Sequence, residues 1–354
     1  MRIALIAPPF IAVPPAAYGG TELFIAHLAN GLHTRGHDVT VYANGDSQLH
    51  CKLKWRYRHA DWPVASGCAA QLKNADHTAW AMHDASRSAD LIHLNDIVGA
   101  PFTLFADQPA VLTIHHPHEP VLSEQYARYP AIHYVAISAA QARREPMRNT
   151  SVVHHGLPIE EYTFRDEDEK GDYVAFLGRM APCKGAHLAI EAARRARLPL
   201  KLAGEIQPVF HDYWEQQVAP HIDGEQIQYI GEADHALKNE LLSHARALLF
   251  PIQWDEPFGL VMIEAMACGT PVLAFDGGSV REIVKDGECG WICRDVGEMA
   301  ERAIAPSVPP ESCRARAVAQ FSCDRMIDRY VEIYERAFHR PPAGLTHADT
   351  GVGV

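Results

Sequence analysis

The sequence predicts an α/β chain of two similar halves, each a run of alternating strands and helices, facing each other across a cleft. Three observations predict it. Apolar runs of strand length alternate with helical periodicity twice over, from Ile3 to Val153 and from Tyr173 to Ala274. A charged, weakly apolar connector, Glu160 to Asp172, separates the two series. Glycine-bearing or basic loops follow strands in both halves, and ligands of open α/β sheets gather at the carboxyl ends of strands.

In the first half, Ile3–Ala7 reads as a strand and Pro8–Gly20 as a loop. Thr21 is the expected cap of a helix whose apolar set includes Leu23, Phe24, Leu28 and Leu32. Asp38–Tyr42 returns as a second strand. The loop lacks G-x-G-x-x-G, which removes the main fingerprint of a dinucleotide dehydrogenase. It does place Gly19 and Gly20 directly before the helix, where a ligand can approach backbone N–H groups. Lys52 to His59 is basic and aromatic. It fits a solvated strand edge better than a contact for an anionic acceptor or a membrane surface. Asn74–Ser88 reads as a helix. Strands over Leu91–Leu94, Ala110–Ile114 and His133–Ile137 end in Asn95-Asp96, His115-His116 and Ser138, which are therefore site candidates. Pro117 interrupts His115–His118, and no carboxylate stands at helical spacing from it, so the cluster is not read as a metal site.

In the second half, strands are expected at Tyr173–Leu177, Leu200–Ala203, Gln226–Ile230, Ala247–Phe250 and Pro271–Ala274, with helices at Ala186–Ala196 and Ala236–Ala245. Asp166-Glu167-Asp168 is formally D-x-D, but no strand precedes it and it reads as a solvated turn. In WDEPFGLVMIEAMACGT, residues 254 to 270, Pro257 suits the first turn of a helix and Gly269 its end. That sets Glu256 beside free N–H groups, an anion site, and Glu264 about two turns further in. Arg179 and Lys184 bracket one strand-to-helix loop. With the helix start at Phe258, Gly259 and Leu260 they can neutralise a diphosphate whose charge grows as its bond breaks. Phe321–Phe338 reads as a last amphipathic helix, and 341–354 as a disordered tail.

The bulk properties set the outer limits. The 354 residues suffice for two cores, and the net charge of -12 argues against nucleic acid as a partner. No apolar run is long enough to span a membrane. Eight cysteines at scattered spacings read as reduced thiols, with a cytoplasmic location expected and a weak membrane association left open.

Glu256 and Glu264 stand in E-x7-E, and EPFGLVMIEAMACGTPV resembles the consensus of glycosyltransferase family 4, retaining enzymes of GT-B fold. The likeness extends to Tyr18-Gly-Gly-Thr-Glu22, Arg35-Gly-His37, Thr113-Ile-His115, Val153-His-His-Gly156, Phe176-Leu-Gly-Arg179 with Pro182-x-Lys184-Gly185, and the 277–287 stretch. The pattern is similar to a bacterial subgroup that includes an avilamycin-pathway enzyme. The resemblance implies two Rossmann-like domains: an N-terminal acceptor domain over 1–156 plus 320–340, and a C-terminal donor domain over 157–319. It implies a nucleoside-diphosphate sugar as donor substrate, and a glycan, lipid or small molecule as acceptor. By motif position Glu264 would hold the ribose, Glu256 the sugar hydroxyls, and the 259–261 amides the diphosphate. Arg179 and Lys184 would stabilise the leaving group, Gly19 and Gly20 would close on the phosphates, and His115 would lie by the sugar. The family needs no metal and no further cofactor. His155 stands where Asn is usual, and is expected to affect the hinge without touching a reactive atom. Cys183 is atypical and carries no assigned role. A non-catalytic sugar-nucleotide-binding protein and a GT-B epimerase or phosphorylase remain as alternatives.

Overall fold

The computed structural model describes residues 1–17, 19–64 and 67–339. Tyr18 and the 341–354 tail lie outside them. In the N-terminal half the strands are β1 (Arg2–Ile6), β2 (Asp38–Ala43), β3 (Lys52–Trp55), β4 (Leu91–Leu94), β5 (Ala110–Ile114), β6 (His133–Ala136) and β7 (Thr150–Val152). In the C-terminal half they are β8 (Val174–Leu177), β9 (Leu200–Ala203), β10 (Ile227–Tyr229), β11 (Leu248–Phe250), β12 (Val272–Phe275) and β13 (Gly290–Cys293). All described pairings are parallel, in the orders β3-β2-β1-β4-β5-β6-β7 and β10-β9-β8-β11-β12-β13. Each sheet reverses strand order once, at β1/β4 and at β8/β11. A crevice opens at the carboxyl ends of the strands at each reversal.

The helices are α1 (Gly20–Thr34), α2 (Cys68–Ser88), α3 (Pro120–Ala127), α4 (Ala139–Ala142), α5 (Ala186–Ala196), the single turn α6 (His211–Tyr213), α7 (His235–His244), α8 (Leu260–Ala267), α9 (Val280–Ile283), α10 (Val296–Ile304), α11 (Pro310–Phe321) and α12 (Cys323–His339). They flank buried, near-continuously apolar strands, as parallel sheets require. One core joins β1, α1 and β2 to Met326, Ile327, Tyr330 and Tyr334 of α12, so the last helix packs on the N-terminal half. The helix before it, α11, packs instead on α8, with Cys313, Ala317 and Phe321 in the C-terminal core.

The chain therefore crosses between halves twice, and the crossings touch. Leu157 and Ser322 form a parallel bridge, Leu157 N–H donates to Phe321 O at 2.9 Å, and Cys323 N–H donates to Leu157 O at 2.8 Å. A Cβ on Gly156 would lie 2.5 Å from Ser322 O, so no larger residue fits there without moving the second crossing.

Two expected helix starts are displaced. Thr21 lies inside α1, whose cap is Gly19 with no side-chain hydrogen bond. Pro257 lies before α8, which begins at Leu260 after Gly259 at φ 84°. In both places a glycine turns the chain into the helix, and its missing side chain leaves the N–H groups uncovered. Gly269, at φ 74°, ends α8 as expected. The spacing gave no warning of β7 and β13, which are short and lie at sheet edges, or of α10 and α11. Asp166–Asp168 is an exposed turn. The basic run at β3 is charge-paired: Lys52 with Asp38, Lys54 with Asp84 and Arg56 with Asp76.

Candidate active site

The two sheets turn the carboxyl ends of their strands towards one cavity of about 490 Å³, within the range of small-molecule sites. The N-terminal half contributes Pro15–Ala17, Gly19–Thr21, Leu23, His115–Pro117, Ile137 and His155. The C-terminal half contributes Leu177–Arg179, Lys184, Gly204-Glu205, residues from Glu232 to Lys238, and the stretch from Trp254 to Glu264. All the sequence-predicted residues line it: Gly19, Gly20, His115, Arg179, Lys184, Glu256, Phe258, Gly259, Leu260, Val261 and Glu264. The halves meet closely, since a Cβ on Gly20 would lie 3.4 Å from Leu260 Cδ1.

Glu256 is 6% exposed, a carboxylate that burial would penalise without partners. It has two. Lys184 Nζ donates to Oε2 at 2.5 Å, and Trp254 Nε1 donates to the same oxygen at 2.9 Å. The ammonium also sits 4.5 Å from the Trp254 ring centroid, a cation–π contact. The expectation had set Glu256 against free helix N–H groups. In the fold its charge is met by a lysine 72 residues away in sequence.

Glu264 is 3% exposed and carries a second pair: Lys238 Nζ donates to Oε1 at 2.7 Å, and Tyr162 O–H donates to it at 3.2 Å. Sequence reading missed Lys238 and Tyr162. Lys238 sits on an ordinary helix, α7, capped by Asp234, and nothing in its spacing marks it. Arg179 lines the cavity, and its Nη1 donates to Gln207 Oε1 at 3.4 Å, while Gln207 donates to Glu205. Another contact across the halves lies beside this chain, where Trp62 Nε1 donates to Glu205 Oε1 at 3.1 Å.

The N-terminal wall is neutral. Burial drives the His115 imidazole well below its usual range, and neighbouring histidines add to that. Nε2–H donates to Asn95 Oδ1 at 3.0 Å, which fixes the proton on Nε2. His155 lies parallel to His115 with ring centroids 5.7 Å apart, and edge-on to Phe258 at 5.1 Å. Burial lowers its pKa to about 3, and its Nδ1 is buried without a hydrogen-bond partner among the described residues. His155, expected to affect the hinge without touching a reactive atom, also stacks on His115 and lines the cavity. His116 lines the cavity with its ring bonded to Tyr126, and His118 turns away to Glu145 and Ser123. Among the described residues no group of three or more His, Cys, Asp or Glu is placed to hold a metal ion. All eight cysteines are free. Cys183 meets Gln253 through its backbone oxygen. No helix of the described residues is long and apolar enough to cross a membrane.

Comparison with known proteins agrees with this architecture. Residues 160–305 match the family Glycosyl transferases group 1, and residues 18–157 match Glycosyltransferase Family 4. A glycogen synthase of Mycobacterium tuberculosis is 26% identical, over 90% of this chain and 90% of its own length. A phosphatidyl-myo-inositol mannosyltransferase of the same organism is 24% identical, over 96% and 93%. Among solved structures, a glycosyltransferase involved in avilamycin A biosynthesis superposes with a TM-score of 0.72 at 25% identity, covering 95% of this chain and 98% of that one. Anabaena HepE, solved with UDP and glucose, superposes with a TM-score of 0.75 at 22% identity, covering 95% and 99%. Two parallel sheets facing one cavity, and two family matches that between them take in most of both halves, lead to one conclusion: the chain belongs to the GT4-type glycosyltransferases of GT-B fold.

Proposed function

We propose that this glycosyltransferase is a retaining enzyme that moves a hexosyl group from a UDP- or GDP-linked sugar to a hydroxyl acceptor. The observation that carries the reading is the convergence of the Lys184–Glu256 and Lys238–Glu264 pairs, Arg179 and the open amides of Gly259–Val261 in one cavity. Glu264 receives the ribose and Glu256 the sugar hydroxyls, each carboxylate already held by a lysine. Arg179, Lys184 and the amides meet the diphosphate as its bond to the sugar breaks, and stabilise the charge it gains without a proton transfer. Gly19 and Gly20 approach the phosphates from the other half. HepE was solved with UDP-glucose, which supports a nucleoside-diphosphate donor here. His115, whose pKa burial holds well below its usual range, is a poor proton acceptor. A departing phosphate oxygen on the same face of the sugar then takes the acceptor proton, which retains configuration. The reaction runs in the cytoplasm and without a metal.

The test is a thermal-shift and hydrolysis panel of UDP-, GDP-, ADP- and dTDP-sugars, with and without EDTA, and NMR of the first-formed anomer. One nucleotide family is expected to stabilise the protein equally with EDTA, and hydrolysis to release the donor's own anomer. Stabilisation by none, or an inverted product, would overturn the reading.

A further inference from the structure

A second cavity, of about 680 Å³, opens at the carboxyl ends of β11, β12 and β13, and the donor-site residues do not account for it. Its functional lining is Trp254, Asp255, Phe275, Asp276, Arg281 and Arg294. Trp254 belongs to both cavities and forms the wall between them. Its position is fixed from the donor side, where the indole N–H is held by Glu256 and the ring lies under the Lys184 ammonium.

The chemistry of the second cavity is that of a neutral, hydroxyl-rich ligand. The two carboxylates and two guanidiniums sum to zero, and each is matched: Asp276 with Arg281 at 2.8 Å, Arg294 with Glu298 at 2.8 Å, and Asp255 with Arg144 of the N-terminal half at 2.5 Å. An anion or a cation would meet repulsion as well as attraction there. A hydroxyl both donates and accepts, so it is served by acceptor-only carboxylates beside donor-only guanidiniums. Trp254 and Phe275 in the lining add apolar surface that suits the C–H side of a pyranose. The Arg144–Asp255 bridge places the cavity against the N-terminal half, the side from which an acceptor approaches the donor sugar.

We propose that this cavity is a saccharide subsite that holds a neutral sugar unit of the acceptor, separated from the donor sugar by Trp254. The inference rests on the transferase reading for naming the occupant as acceptor, and on the cavity's own chemistry for naming it as saccharide.

The experiment is saturation-transfer NMR on the full chain, using methyl α-glucoside, α-mannoside and α-galactoside and the corresponding α-linked disaccharides, with excess UDP or GDP present. At least one saccharide is expected to give a signal. The double substitution Asp276→Ala/Arg281→Ala, at two exposed side chains, is expected to weaken its binding about tenfold, the size of a lost pair of polar contacts. The nucleotide-induced shift in melting temperature should be the same in the double variant as in the unaltered chain, which also confirms that variant's fold. No saccharide signal while a nucleotide still binds would overturn the subsite and leave the transferase reading standing. A signal unchanged by the double substitution would place the sugar elsewhere and overturn it equally. Failure of both nucleotides to shift the melting temperature would count against the transferase reading instead.

Discussion

The two walls of the cavity are built on opposite principles. The C-terminal wall carries every lysine, arginine and carboxylate among the described lining residues, with Lys184–Glu256 and Lys238–Glu264 as close pairs. The N-terminal wall offers glycines, small apolar residues and imidazoles, and burial keeps His115 and His155 neutral. Charge that stabilises a leaving group is useful only if it is already in place before the reaction. The C-terminal half holds it in place with close, buried ion pairs. The N-terminal half supplies close backbone approach and exclusion of water, for which charge would be a handicap. The difference teaches that binding strength and closure are written into separate domains.

The largest expected effect comes from breaking the charged wall. Lys184→Ala and Glu256→Ala should each lower kcat about 100-fold, as when one stabilising donor is removed from a preorganised site. Turnover within a few-fold of normal in either, measured with the donor found by thermal shift, would break the contrast between the walls. Lys238→Ala should act on affinity. With Glu264 left without its ammonium, nucleotide binding is expected to weaken about tenfold, with kcat less affected. Calorimetry against the nucleoside diphosphate checks this, and an equal loss in kcat would merge the roles of the two pairs.

The smallest effect sharpens the neutral wall. Glu22 is buried behind the glycine loop, with Oε2 only 3.0 Å from where a Cβ on Gly19 would stand. Desolvation raises its pKa to about 7. It is therefore neutral below that pH and places a negative charge behind the loop above it. The ratio of wild-type to Glu22→Gln Kd for the nucleotide is expected to rise a few-fold between pH 6 and pH 8, and a flat ratio would remove Glu22 from the site's electrostatics. The sign for stability is the same. An unfolded glutamate ionises near 4.5, so the stability from the protonated folded form is complete below that value and is lost as pH rises through about 7.

Much of this arrangement was legible in the sequence, and the reasons are local. The α5 and β9 limits followed from periodicity and punctuation, and the site loops followed from what stands after each strand. What stayed hidden was set by tertiary packing. Lys238 meets Glu264 only because α7 and α8 lie side by side, and Tyr162 meets it across 102 residues. His155 was placed at the hinge from its position in the junction motif, and the stacking of its ring on His115 was not readable from that position. The early caps at Thr21 and Pro257 failed because a positive-φ glycine can start a helix without any side-chain cap.

The touching of the two chain crossings at Leu157 and Ser322 has a mechanical consequence. Two segments tied side by side by backbone hydrogen bonds behave as paired pins in a door: they permit swinging about the line through them and resist twisting or sliding. Any swing about that line would carry Gly20 away from Leu260 and bring it back in the same register. The pairing of the crossings is thus what would keep the neutral wall aimed at the charged one.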